Sequence, residues 1–79
     1  MSANHLLQRI TLDPAVCYGK PCIRGKRYPV ESMLEYLAGG DSVEALLAEF
    51  PDLKRDDVLA CLEFARCALS MRSQHLVMA

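Results

Sequence analysis

The sequence predicts a mainly α fold: a three-helix bundle with helix-turn-helix proportions, preceded by a short N-terminal β-hairpin or strand region. Three observations carry this. An apolar i, i+3, i+4, i+7 stripe starts at Val30 and again at Val43, and a longer stripe of the same kind starts at Val58. Proline or glycine separates the segments. Before Val30 the chain shows short β-favouring runs broken by Asp-Pro and Gly-containing turns instead. At 79 residues the chain sits near the lower size limit for one core, so it makes one domain. Residues 1–8 are expected as a flexible start. Residues 9–69 form the domain, with 9–29 as a β-hairpin arm and 30–69 as the tri-helical bundle. Residues 70–79 are a tail or a helix extension.

Arg9-Ile10-Thr11-Leu12 is a β-favouring run stopped by Asp13-Pro14. Cys22-Ile23-Arg24 and Arg27-Tyr28 flank Gly25-Lys26, which suggests a tight hairpin with Gly25 at a positive φ. The first helix carries Val30, Met33, Leu34 and Leu37 on one stripe, with Pro29 at its start and Gly39-Gly40 at its end. The second carries Val43, Leu46, Leu47 and Phe50. Asp41 and Glu44 fit a capping box there, and Ser42 is the competing cap. Pro51 ends it. The third begins near Lys54 or Arg55 and carries Val58, Cys61, Leu62, Ala65, Ala68 and Leu69. Asp56 and Asp57 suit the positive end of its dipole, and Asp52 stands in for Lys54 as a cap.

Composition excludes several classes. Hydrophobic residues make 52% and charged residues 24%, which is globular rather than disordered. No apolar run approaches the ~18 residues of a membrane span, and no secretory signal stands at the start. A soluble cytoplasmic protein is expected. Cys17 and Cys22 are separated by four residues and Cys61 and Cys67 by five, which is not metal or redox CxxC spacing. Reduced, buried thiols fit better. His5 and His75 lie near the termini. No GxSxG, HExxH or P-loop is present, so neither an enzyme nor a cofactor is expected. Cys17 or Cys22 beside Lys20 lacks a histidine base, and Asp52, Asp56 and Asp57 read as helix-start acids rather than a cation site.

The net charge of −1 hides a split. Residues 1–30 carry Arg9, Lys20, Arg24, Lys26 and Arg27 against Asp13, whereas residues 31–63 carry nine acids against Lys54 and Arg55. In a helix-turn-helix the last helix offers its first turn to the major groove, which would place Lys54 and Arg55 on phosphates or bases. Lys20, Arg24, Lys26 and Arg27 fall within eight residues without an acid. That arm can follow a phosphate backbone or simply guard a solvated edge strand. In a dimer, two arms and two Lys54/Arg55 pairs neutralising about eight phosphates would give a salt slope near −7.

The run from Arg9 to Val30, with its Asp13-Pro14 and Gly19-Lys20-Pro21-Cys22-Ile23-Arg24-Gly25 motifs, resembles family 433 of the domains of unknown function. So do Gly39-Gly40, Ser42-Val43-Glu44, Phe50-Pro51-Asp52-Leu53 and Asp56-Asp57-Val58. The resemblance spans roughly residues 8–66. It implies a homeodomain-like helix-turn-helix behind a β-hairpin. Members are described as antitoxins of the VapBC type, encoded beside a PIN-like nuclease toxin. The resemblance thus implies an antitoxin that dimerises, binds an operator in double-stranded DNA and covers a toxin with its C-terminal segment. Leu69, Met71, Leu76, Val77 and Met78 are the apolar residues for that contact. The alternative is an interaction or dimerisation module that does not bind DNA. Two positions depart from the family. Gly25-Lys26-Arg27 replaces the usual Gly-Thr-Arg, and Lys54-Arg55 replaces a Thr-Pro helix start. Both add charge.

Overall fold

The computed structural model describes residues 4–72. It is mainly helical: α1 (Asn4–Leu7), α2 (Val30–Ala38), α3 (Val43–Glu49) and α4 (Arg55–Arg72), with a two-stranded antiparallel sheet of β1 (Ile10–Thr11) and β2 (Cys22–Ile23). The three expected helices are α2, α3 and α4. One further turn, α1, occupies part of the expected flexible start and packs on α4. No helix among the described residues is long and apolar enough to cross a membrane.

The hairpin region differs from the expected one. β2 pairs with β1, Ile10 opposite Ile23 and Thr11 opposite Cys22. The chain then reverses over Arg24-Gly25, one residue earlier than expected, closed by Lys26 N–H to the Ile23 carbonyl at 2.8 Å. Both Arg24 (φ +49) and Gly25 (φ +70) are left-handed, the requirement of a type I′ turn. The returning limb makes only a single bridge, Cys22 to Pro29. Thr11 fixes the turn, because its hydroxyl accepts from Gly25 N–H at 2.8 Å and donates to the Cys22 carbonyl at 3.3 Å.

Helix ends follow local chemistry. Pro29 in extended conformation precedes α2. Gly39 caps it and Gly40 (φ +109) turns the chain away. Ser42, not Asp41, caps α3: its hydroxyl accepts from Ala45 N–H at 3.0 Å. The Asp41/Glu44 capping box does not form, because Ser42 sits one residue closer to the donor. Lys54 offers α4 only its carbonyl, which accepts from Asp57 N–H at 2.9 Å, and the Asp52 carboxylate accepts from Tyr28 rather than capping the helix. Instead Asp57, in its third position, reaches back to Lys54 N–H at 2.8 Å. That is the second arm of a capping box without the first.

The core centres on Ile23, Val30, Met33, Leu53 and Cys61, with Leu46, Val58 and Ala60 also buried. Tyr28 packs edge-on to Phe50 at 5.5 Å, and Tyr36 lies beside the same ring. The predicted α4 stripe is buried only in its first half. Leu62 is 43% and Leu69 63% exposed, and Ala68 is exposed. For Ala68 and Leu69 the reason is length: α4 has 18 residues, α2 nine and α3 seven, so its distal half outruns them.

Candidate nucleic-acid interface

The hairpin turn lies against the start of α4, and one buried carboxylate joins them. Asp57 has no exposed surface. It accepts from Arg24 Nε at 3.0 Å, Arg24 Nη2 at 2.8 Å, Arg9 Nη1 at 2.9 Å and Lys54 N–H. Arg24 Nη2 also donates to the Asp52 carbonyl at 2.9 Å. Arg24 thus grips Asp57 bidentately, the geometry a guanidinium fork favours. Burial alone would raise the Asp57 pKa, but hydrogen bonds from Arg24, Lys54 N–H and Arg9 outweigh it and hold the carboxyl below its ordinary value. The Arg24 guanidinium is pushed up in turn by its hydrogen bond to Asp57. Asp52 accepts from the Tyr28 hydroxyl at 2.8 Å, which holds its carboxyl low and raises the phenol.

This bracing settles where the six cations proposed for DNA contact lie. Lys54 and Arg55 are exposed at the first turn of α4. Arg55 Nη1 lies 3.3 Å from Glu44, a surface pair with 60% of the arginine side chain exposed. Lys26 Nζ stands 4.0 Å from Asp52, so the turn carries Lys26 to the same end of the molecule, and the next residue, Arg27, is exposed. Lys20 instead pairs with Glu31 in the first turn of α2 at 3.2 Å, which divides the basic stretch. Arg24 is engaged by Asp57 and by the Asp52 carbonyl, and so braces the turn against α4. The end as a whole gathers five cations (Arg9, Arg24, Lys26, Lys54, Arg55) against four carboxylates (Glu44, Asp52, Asp56, Asp57), a surplus of one positive charge.

Sequence reasoning missed the Arg9–Asp57–Arg24 cluster. Its members are 48 and 33 residues apart. The one local signal was an acid three residues after the helix-start Lys54.

A second surface lies on the distal half of α4. Leu34, Phe64, Ala65, Ala68 and Leu69 line a groove of about 360 Å³. Beside it Leu7, Ile10, Leu12, Cys67 and Ala68 line another of about 270 Å³. Leu12 is 67% exposed. Of the residues expected to meet a partner, Leu69 lines the first groove and Met71 falls on α4. Leu76, Val77 and Met78 lie outside the described residues. Among the described residues, no group of three or more His, Cys, Asp or Glu could hold a metal ion.

Residues 10–65 match the family described as "Protein of unknown function (DUF433)". Among solved structures, the chain is similar to a DUF433 member protein from Anabaena variabilis. The two share 27% identity and a TM-score of 0.74, over 95% of this chain and 74% of that one. No curated protein matches the chain.

Proposed function

The chain belongs to the DUF433 family, and from that premise we propose that it is a DNA-binding antitoxin that reads its operator through the α3–α4 helix-turn-helix. One observation carries the reading. The exposed first turn of α4, with Lys54 and Arg55, is braced through Asp57 to the turn that carries Lys26 and Arg27. Lys26, Lys54 and Arg55 therefore share one end, with exposed Arg27 next in sequence to Lys26, and Asp57 ties the turn to the helix start. Phosphate contacts of this kind set register and orientation on a duplex. Two copies on a two-fold operator would present eight such cations.

The apolar grooves of distal α4 supply the other half of an antitoxin's work. They would take an apolar segment of a PIN-like nuclease toxin, with Leu69 as a contact.

Electrophoretic mobility shift on the chain's own upstream DNA, against random competitor, tests the DNA half. Specific retardation is expected, and Lys54→Ala with Arg55→Ala should weaken it strongly while leaving the fold intact. Retardation unchanged by the double variant would remove α4 as the reading helix.

The second reading is an interaction module that does not bind DNA. It is favoured by the ion pairs Lys20–Glu31, Arg24–Asp57, Lys26–Asp52 and Arg55–Glu44, which place acids beside four of the six cations. No shift at low salt, with toxin capture retained, would select it.

A further inference from the structure

We propose that the cleft between the end of α2 and α3 takes the guanidinium of an arginine side chain presented by a partner protein. Tyr36, Asp41, Ala45, Leu46, Glu49 and Phe50 line a cavity of about 290 Å³ there. Two helix ends shape it. Past Ala38 the chain folds back, with Asp41 N–H donating to the Tyr36 carbonyl at 3.1 Å, so Asp41 returns beside the helix it has just left. On α3, Ala45 and Glu49 are one turn apart and share a face. Leu46 is buried and makes the floor. The Tyr36 and Phe50 rings, 5.7 Å apart and tilted by 37°, make an aromatic wall. Asp41 and Glu49 are exposed at the rim. Ala45 contributes only a methyl group, which leaves the space open.

The charge around the cleft is one-sided. Between Arg27 and Lys54 the sequence carries six acids and no Lys, Arg or His. Three of the six are engaged: Glu31 by Lys20, Glu44 by Arg55, and Asp52 by Tyr28 and Lys26. Glu35, Asp41 and Glu49 pair with no cation among the described residues, and two of these three line the cavity. The fold thus neutralises its acids elsewhere and leaves this pair beside an aromatic wall.

That chemistry selects the occupant. Two carboxylates attract a cation, and an aromatic wall favours a flat, weakly hydrated one. Arginine meets both demands, because its fork pairs with carboxylates and its plane stacks on a ring. Two carboxylates fall short of the roughly six to eight oxygen ligands that a calcium ion takes. A phosphate would be repelled, so the cleft is not a nucleic-acid contact. The volume lies at the bottom of the roughly 300–1,000 Å³ range of small-molecule sites, which suits one long side chain better than a cofactor. Arginine is also enriched at protein interfaces. The site uses none of Lys26, Arg27, Lys54 or Arg55, and so stands or falls independently of DNA binding.

The probe is N-acetyl-arginine methylamide, titrated to ~20 mM into the isotope-labelled full chain at ~150 mM salt and followed by NMR. The amide signals of Tyr36, Asp41, Ala45 and Glu49 should move together and saturate with a Kd of about 1–10 mM. The citrulline analogue, which has the shape without the charge, should leave them in place, and the lysine analogue should bind several-fold more weakly. Asp41→Asn with Glu49→Gln should weaken binding about tenfold. Ala45→Met fills the cavity while keeping both carboxylates and helix propensity, and should abolish binding. The rest of the amide pattern reports that each variant is folded. No saturable shift up to ~20 mM, an equal response to the citrulline or lysine analogue, or unchanged affinity in either variant would overturn the proposal. So would movement of the same signals with chain concentration instead of probe, which would give the cleft to a second copy.

Discussion

Replacing Asp57 with Ala should destabilise the fold more than any other single polar change. The variant deletes the acceptor of four hydrogen bonds, three from guanidinium groups and one from Lys54 N–H. Hydrogen bonds to charged groups contribute ~1.5–3 kcal/mol each, but they are not additive. Breaking a buried ion pair from one side costs about 3–5 kcal/mol. The Arg9 and Arg24 side chains are 28% and 32% exposed, so both recover some hydration once Asp57 is gone. A net loss of roughly 3–4 kcal/mol follows. A chain of this size has about 4–12 kcal/mol in total, so the variant would fall close to the unfolding threshold. Its midpoint temperature should drop by roughly 12–30 °C. Urea denaturation followed by circular dichroism measures the loss, and a double-mutant cycle with Arg24→Ala isolates the pair. A loss under ~1 kcal/mol, or a coupling under ~0.5 kcal/mol, would show that Asp57 is not the link between hairpin and helix.

Further outcomes follow from the same geometry. The depressed Asp57 pKa gives stability that is fully present above its unfolded value of ~3.9 and lost as pH falls through the lower folded value. Unfolding free energy measured from pH 6 to 2 should therefore fall below about pH 4, and Asp57→Asn should flatten that fall. Arg24→Lys keeps the charge but loses the bidentate grip, and should cost about 1–2 kcal/mol in urea. Gly25→Ala meets nothing within 4 Å but must hold φ +70, so its cost of about 1 kcal/mol is purely conformational. Ser42→Ala removes the α3 cap and should cost about 1 kcal/mol, measured the same way.

Much of the fold was legible in the sequence because helix periodicity and its breakers act locally. Val30 to Gly39, Val43 to Pro51 and the start at Arg55 were set by stripes, glycines and prolines within a turn of each boundary. What was not legible depends on distance along the chain. The pairing of β2 with Ile10–Thr11 joins residues eleven to thirteen apart across a turn-rich loop that carries no periodic signal. The Arg24–Asp57 pairing was hidden for the same reason. A cluster of cations looks like a phosphate site until the acid that neutralises one of them, 33 residues later, is folded against it. The exposure of distal α4 was only partly legible, because periodicity shows which face is apolar. It does not show whether a neighbour is long enough to cover that face, and Leu69 is left exposed.

The proposal that four cations per chain dock on a duplex as a dimer is tested most directly by the salt dependence of binding. Fluorescence anisotropy on labelled upstream DNA, from ~50 to ~200 mM salt, gives the slope of log K against log salt. If phosphates displace the exposed Lys26–Asp52 and Arg55–Glu44 pairs, Lys26, Arg27, Lys54 and Arg55 make about eight phosphate contacts per dimer and a slope near −7. The Lys54→Ala and Arg55→Ala double variant should reduce it to about −4. A slope near zero, or one that the double variant leaves unchanged, would contradict docking through the start of α4.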